Sequence, residues 1–122
     1  MNLAIWDIES SNANTDFGSI IEVGGILIDE NFKEKDRFNL RCRLPEGEIP
    51  QCMALIVNRT SVELLTKANL SHYQMLGELE KIFKKWSPAI FLGWSNVGFD
   101  DEMIRKEFFK GKIGRASCRE RV

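Results

Sequence analysis

Long apolar runs are missing from this chain. No stretch approaches the roughly 20 residues that a membrane-spanning helix needs. No basic-then-apolar leader stands at the N-terminus. Both absences lead us to expect a soluble cytoplasmic protein, a monomer with no membrane partner. There is also no lysine or arginine block. Seventeen basic groups against 18 acidic ones give a net charge of -1. Nothing here suggests binding nucleic acid through a broad basic face, while a small acidic site on a near-neutral body stays compatible with the composition. The three cysteines, Cys42, Cys52 and Cys118, are odd in number and lack metal-like spacing. They exclude a disulfide framework and a structural zinc, and they fit a reducing compartment. Repeats and low-complexity segments are absent too. What is present is globular material: 43% apolar residues with eight Phe and three Trp among 122 residues, enough for one domain with a modest core.

The last eleven residues, "KIGRASCRERV", follow no helix or strand period. They match the translation, in one frame after a preceding A, of a common sequencing adapter that begins AGATCGGAAGAGCG. We therefore expect residues 1–112 to be the N-terminal part of a longer domain and residues 113–122 to be a non-native tail. Without Ile113 to Val122 the chain loses three Arg and one Glu, leaving 14 basic and 17 acidic groups, net -3.

Ahead of that tail, Leu3 to Ile8 and Ile20 to Asp29 read as strands, separated by the polar loop "SSNANTDFG". "DENF" is a hairpin turn into a third strand, Lys35 to Leu44, where Phe38, Leu40 and Cys42 share a parity. "LPEGEIP" is loop. Thr60 to Glu63 forms a capping box opening a short helix with Val62, Leu64 and Leu65. Ser71 to Gln74 forms a second one, opening a helix that runs to Trp86 with Leu76, Leu79 and Phe83 on its apolar stripe. Pro88 stops it. "AIFLGW" reads as a central strand covered on both faces. "SNVG" turns the chain into a last helix, Phe99 to Phe109, with Met103, Ile104 and Phe108 inward. The order β-β-β-α-α-β-α predicts an α/β layer fold with a mixed central sheet.

Strand one carries the first chemical signal. Side chains alternate along a strand, so Asp7 and Glu9 share a face, with Cα atoms about 6.7 Å apart, and Ile8 faces away. Two like charges on a buried strand need a cation, and Mg²⁺ or Mn²⁺ suits hard oxygen ligands. The residues alone leave a second reading open: the strand ends at Asp7 and both acids meet solvent. "GWSNVGFDDE" is the second signal, because functional residues gather where strands end and helices begin. Helix capping accounts equally for Asp101 and Glu102. The remaining candidates read as ordinary structure. His72 and Tyr73 have Gly77, not an acid, five and four positions on, so a solvated first-turn histidine is expected. Lys81, Lys84 and Lys85 read as a solvated helix face, Trp94 at a strand end reads equally as core or as a ring that stacks a base, and Cys42 and Cys52 read as packing residues. Gly24 and Gly25 allow close backbone approach but lack the spacing of a nucleotide fingerprint.

Together, Asp7-Ile8-Glu9, "IIEVGGILID" and Asn96-x-x-Phe99-Asp100 resemble the DEDD superfamily of 3′-to-5′ exonucleases. "LGWSNVGFDDEMIRKEFF" and "LPEGEIPQCMALIVNRTSVELL" are similar to the bacterial exodeoxyribonuclease I family within it. The resemblance covers Leu3 to Phe109. It implies a ribonuclease H-like exonuclease fold, truncated here, that releases nucleoside monophosphates from single-stranded DNA with two Mg²⁺ or Mn²⁺ ions. It also implies that Asp7 and Glu9 ligate metal, that Asp100 serves the more weakly held ion, and that Ser10, Asn96 and Phe99 contact or support substrate. Ser10 and Ser11 stand where most relatives have Thr. The family's general base, a His or Tyr, and its fourth carboxylate belong to a motif downstream that this chain lacks, so the chain alone is expected to be inactive. Three alternatives stand beside this reading: an RNA-trimming or proofreading exonuclease of the same superfamily, a non-catalytic nucleic-acid-binding module, and a small structural domain whose acids cap helices. A longer clone of the gene separates them. It should depart from the tail sequence after Lys112 and carry His-x4-Asp or Tyr-x3-Asp on a later helix. A genomic clone that keeps the tail contradicts the first expectation, and one without either motif favours the binding module.

Overall fold

The computed structural model describes residues 1–12, 14, 18–93 and 100–110, the side chains of 100, 101 and 110 lying outside that description. The elements follow as β1 (Asn2–Ser10), β2 (Ile20–Ile28), β3 (Glu34–Arg41), α1 (Cys52–Asn58), α2 (Val62–Lys67), α3 (His72–Trp86), β4 (Ala89–Gly93) and α4 (Asp100–Lys110). The sheet order is β3-β2-β1-β4. β2 is antiparallel to both β1 and β3, and β4 is parallel to β1. The sheet is thus mixed, as the element order predicts.

One face of this sheet is dry. Ala4, Trp6, Ile8 and Ser10 alternate inward along β1, joined by Val23 and Leu27 from β2 and Phe91 from β4. α3 covers them with Met75, Leu76, Leu79, Phe83 and Trp86, and α4 with Met103, Ile104 and Phe108. Phe83 is fully buried and meets Trp6 and Phe91 edge-on, with ring centroids 6.3 and 5.1 Å away. Such contacts add about 0.5–1.5 kcal/mol each beyond area burial. Phe38 meets Trp86 in the same way at 5.2 Å, and Trp86 Nε1 donates to Asp36 Oδ2 at 2.9 Å, tying α3 to the edge strand. The expected capping box at Ser71 is present with both bonds: Ser71 Oγ accepts from Gln74 N, and Gln74 Oε1 accepts from Ser71 N. Lys81, Lys84 and Lys85 are exposed and paired with Glu78, Glu80 and Asp36, which fits a solvated face.

Five points depart from expectation. β4 is an edge strand among the described residues, not a central one. Phe91 is buried but Leu92 is 44% exposed, because its outer face and that of Ile5 and Ile26 meet no described element. The short helix is capped by Ser61 rather than Thr60: Ser61 Oγ accepts from Leu64 N, while buried Thr60 donates to Asn58 O. α1 is not anticipated at all. It has no side-chain cap and no buried residue, and its ends are held instead by the chain after β1: Gln51 N donates to Ser11 O, and Asn58 Nδ2 to Ser10 O. Cys52, read as a packing residue, is exposed on this helix. Finally, the side chain of His72 is only 16% exposed, and its Nε2 stands 3.0 Å from Glu107 Oε2. An acid on α4 reaches it, which no local pattern reveals.

The paired glycines of β2 differ. A Cβ on Gly25 would stand 2.5 Å from Phe38 Cε1 and 3.3 Å from the Ile5 carbonyl oxygen, whereas one on Gly24 would meet nothing nearer than 3.8 Å. The Phe38 ring is braced by Trp86, so it yields poorly. Gly25→Ala should therefore cost about 1–3 kcal/mol, and Gly24→Ala should stay within about 0.5 kcal/mol of the parent. Urea unfolding of the two variants checks this, and equal stabilities would contradict the packing described.

Candidate active site

β1 does not end at Asp7. It continues paired to β2 through Ser10, with Asp7 opposite Gly24 and Glu9 opposite Glu22. Alternation then places both acids on the face away from the core, as their parity requires. They line a cleft of about 480 Å³ together with Ile5, Trp6, Glu22, Gly24, Gly25, Ile26 and Asn39. Gly24 contributes no side chain to that face, so the floor beside Asp7 stays open. Asn39 adds an amide from β3, opposite Gly24.

Glu22 is the residue that sequence reasoning missed. It is a charged residue inside an apolar strand, the same signal that singled out Asp7, and it lies directly across from Glu9. Arg41, across from Glu22 on β3, donates to Glu22 Oε2 at 3.0 Å. No ion pair among the described residues involves Asp7 or Glu9. The Glu9 carboxyl is held above its usual range, first by burial, then by the negative charges of Asp7 and Glu22. No cation lines the cleft among the described residues.

The other predicted residues fall differently. Ser10 is buried on the core-facing side, its Oγ donating to Asn12 O at 2.8 Å, and it does not line the cleft. Asn96 and Phe99 lie outside the described residues, as does Trp94. Asp100 is the first residue of α4, and its side chain lies outside the description. Six residues separate it from β4 in the chain. β4 runs parallel to β1, and its last residue, Gly93, pairs with Trp6, next to Asp7. No cluster of three His, Cys, Asp or Glu side chains able to hold a metal forms among the described residues. The two acids of β1 still suit a divalent ion in donor chemistry: hard oxygens, crowded by a third carboxylate, in an open cleft. Cys42, by contrast, is fully buried, and burial with help from Glu107 pushes its thiol up to about 12, so it stays an inert packing residue.

No protein-family model matches the chain, and no curated protein does. Solved structures do. Escherichia coli exonuclease I in complex with a dT13 oligonucleotide superposes with a TM-score of 0.87 at 16% identity, over 99% of this chain and 27% of that one. The chain has the exonuclease I fold. A product-bound exonuclease I gives 0.87 at 17% identity, over 99% of this chain and 29% of that one. A moderately thermophilic exonuclease I from Methylocaldum szegediense gives 0.86 at 16% identity, over 96% and 25%. The described sheet with its covering helices is thus the mixed α/β arrangement expected of a ribonuclease H-like exonuclease, and the chain spans 25–29% of the length of these structures.

The raised Glu9 pKa has a consequence for stability. An acid whose folded pKa lies above its unfolded value is easier to ionise when unfolded. Its contribution is therefore present below the ordinary Glu pKa of 4.5 and is lost as pH rises through the folded value. Glu9→Gln should unfold at a higher temperature than the parent at pH 7 without divalent metal, and the gain should vanish below pH 4.5. Thermal melts across pH check this. A gain that persists at acid pH would mean that Glu9 is not strained by its charge.

Proposed function

We propose that this chain is the acid-bearing part of a metal-dependent 3′-to-5′ exonuclease that acts on single-stranded DNA. The observation that carries this reading is the placement of Asp7 and Glu9 on the open face of a strand paired on both sides, in a cleft that no cation lines among the described residues. The exonuclease I fold supports it, and solved relatives of that fold were captured with DNA oligonucleotides. Asp7 and Glu9 would hold a Mg²⁺ or Mn²⁺ ion, and Asp100 would reach it from the start of α4. A divalent ion held by these residues would supply a lowered pKa for bound water and an offset to the charge that develops on a phosphodiester in attack. The protein's own part is to hold hard oxygens in place, to keep Gly24 bare beside Asp7, and to keep Arg41 occupied by Glu22 on the neighbouring strand. Asn96 and Phe99, between β4 and α4, are proposed to bind and support the nucleotide. Removal of nucleoside monophosphates would require in addition a general base and a fourth carboxylate from further along the protein. Superseding the DNA assignment by RNA would need contacts to a 2′-hydroxyl, and no described residue argues for them.

Calorimetric Mn²⁺ titration tests the proposal. The parent chain should bind Mn²⁺, be stabilised against heat by it, and lose about tenfold or more in affinity on Asp7→Asn, a ligand change with no change of size. Equal binding by parent and variant would remove the metal-site reading.

A further inference from the structure

α4 begins at Asp100, and apolar contacts hold it down: Met103, Ile104 and Phe108 are at most 1% exposed. Apolar packing is non-directional, so it attaches a helix more firmly than it fixes its rotation or advance along a sheet. Glu107 lies on the same stripe, one turn beyond Met103 and Ile104, and is itself 1% exposed. A buried carboxylate is costly unless partnered. Its two oxygens point to two different elements. Oε1 accepts from the backbone N–H of Ile20 at 3.2 Å, and Oε2 stands 3.0 Å from His72 Nε2 at the start of α3. That His72 nitrogen is buried and has no other polar partner among the described residues. Ile20 is the first residue of β2, the strand that carries Glu22 and Gly24 past Glu9 and Asp7. A single side chain on α4 therefore makes a directional bond to the strand that forms the floor of the acidic cleft.

We propose that Glu107 is a positioning residue. It fixes the rotation and advance of α4 against β2, and so sets where Asp100 stands relative to Asp7 and Glu9, with His72 beside its second oxygen. This rests on the metal-site reading above. A neutral amide would satisfy Ile20 equally well, so the acceptor oxygen, rather than the charge, does the positioning. An apolar residue of similar volume would keep the packing of α4, orphan the Ile20 N–H, and free the helix to shift.

A double-mutant cycle read by Mn²⁺ calorimetry on the full chain tests this. Glu107→Leu should weaken Mn²⁺ binding about tenfold, the lower end of the range for groups that orient metal ligands. In an Asp100→Asn background the same substitution should have no further effect, because the effect acts through Asp100. Glu107→Gln should bind as the parent does. Unchanged binding in Glu107→Leu, or equal weakening in both backgrounds, overturns the proposal. If the parent shows no Asp7-dependent Mn²⁺ binding, the metal reading fails instead, and hydrogen exchange then decides about Glu107. That measurement also decides if Glu107→Leu does not fold, since it needs neither metal nor variant. In the parent chain the Ile20 amide and the amides of α4 should open together with one free energy. An Ile20 amide that stays protected while α4 exchanges would show that Glu107 does not hold the helix.

Discussion

β1 is hydrogen-bonded on both edges, to β2 over Leu3 to Ser10 and to β4 over Asn2 to Trp6. The rest of the structure depends on that double pairing. With both neighbours in place, the strand's register cannot drift, and register decides which side chains are dry. A slip of one residue would turn Ala4, Trp6 and Ile8 outward and drive Asp7 and Glu9 toward Phe83. Two unpaired carboxylates in that core would cost more than the domain's whole stability. The acids are thus part of what specifies the fold, even though they weaken it where they stand.

The weakening is local and electrostatic. Three carboxylates, Asp7, Glu9 and Glu22, share one face of two neighbouring strands, and among the described residues only Glu22 receives a guanidinium. A sheet selected for stability alone would place threonine or a second arginine at such positions. Instead Gly24 leaves room beside Asp7, and burial, with the charges of Asp7 and Glu22, raises the Glu9 pKa. A carboxylate with a raised pKa in a cleft marks a candidate functional site. The second face of the sheet around it also carries exposed Ile5, Ile26 and Leu92. The acidic cleft therefore sits beside apolar surface rather than within a solvated polar patch.

Much of this was legible in the residues, for reasons that can be named. The shared face of Asp7 and Glu9 follows from a period of two, which no tertiary contact can alter. α3 was readable because Ser71 and Gln74 cap it locally and its apolar residues recur at spacings of three and four. What escaped was long-range. α1 owes its ends to the carbonyls of Ser10 and Ser11, some forty residues earlier in the chain. Glu107 stands beside Lys106 in a helix and looks like any solvated acid, until the fold brings Ile20 and His72 against it. "AIFLG" has no period, so it cannot say whether one face or two will be covered. Glu22 is a different case. Period two along β2 places it on the face of Gly24, across from Glu9.

The central claim is that the open face of β1 holds a divalent cation. Crystals of the chain soaked in Mn²⁺ test it most directly, through anomalous scattering. A peak is expected within coordination distance of both Asp7 and Glu9 carboxylates, absent from crystals of Asp7→Asn. A cleft with no peak, at Mn²⁺ concentrations that occupy other acidic sites on the same molecule, would contradict it.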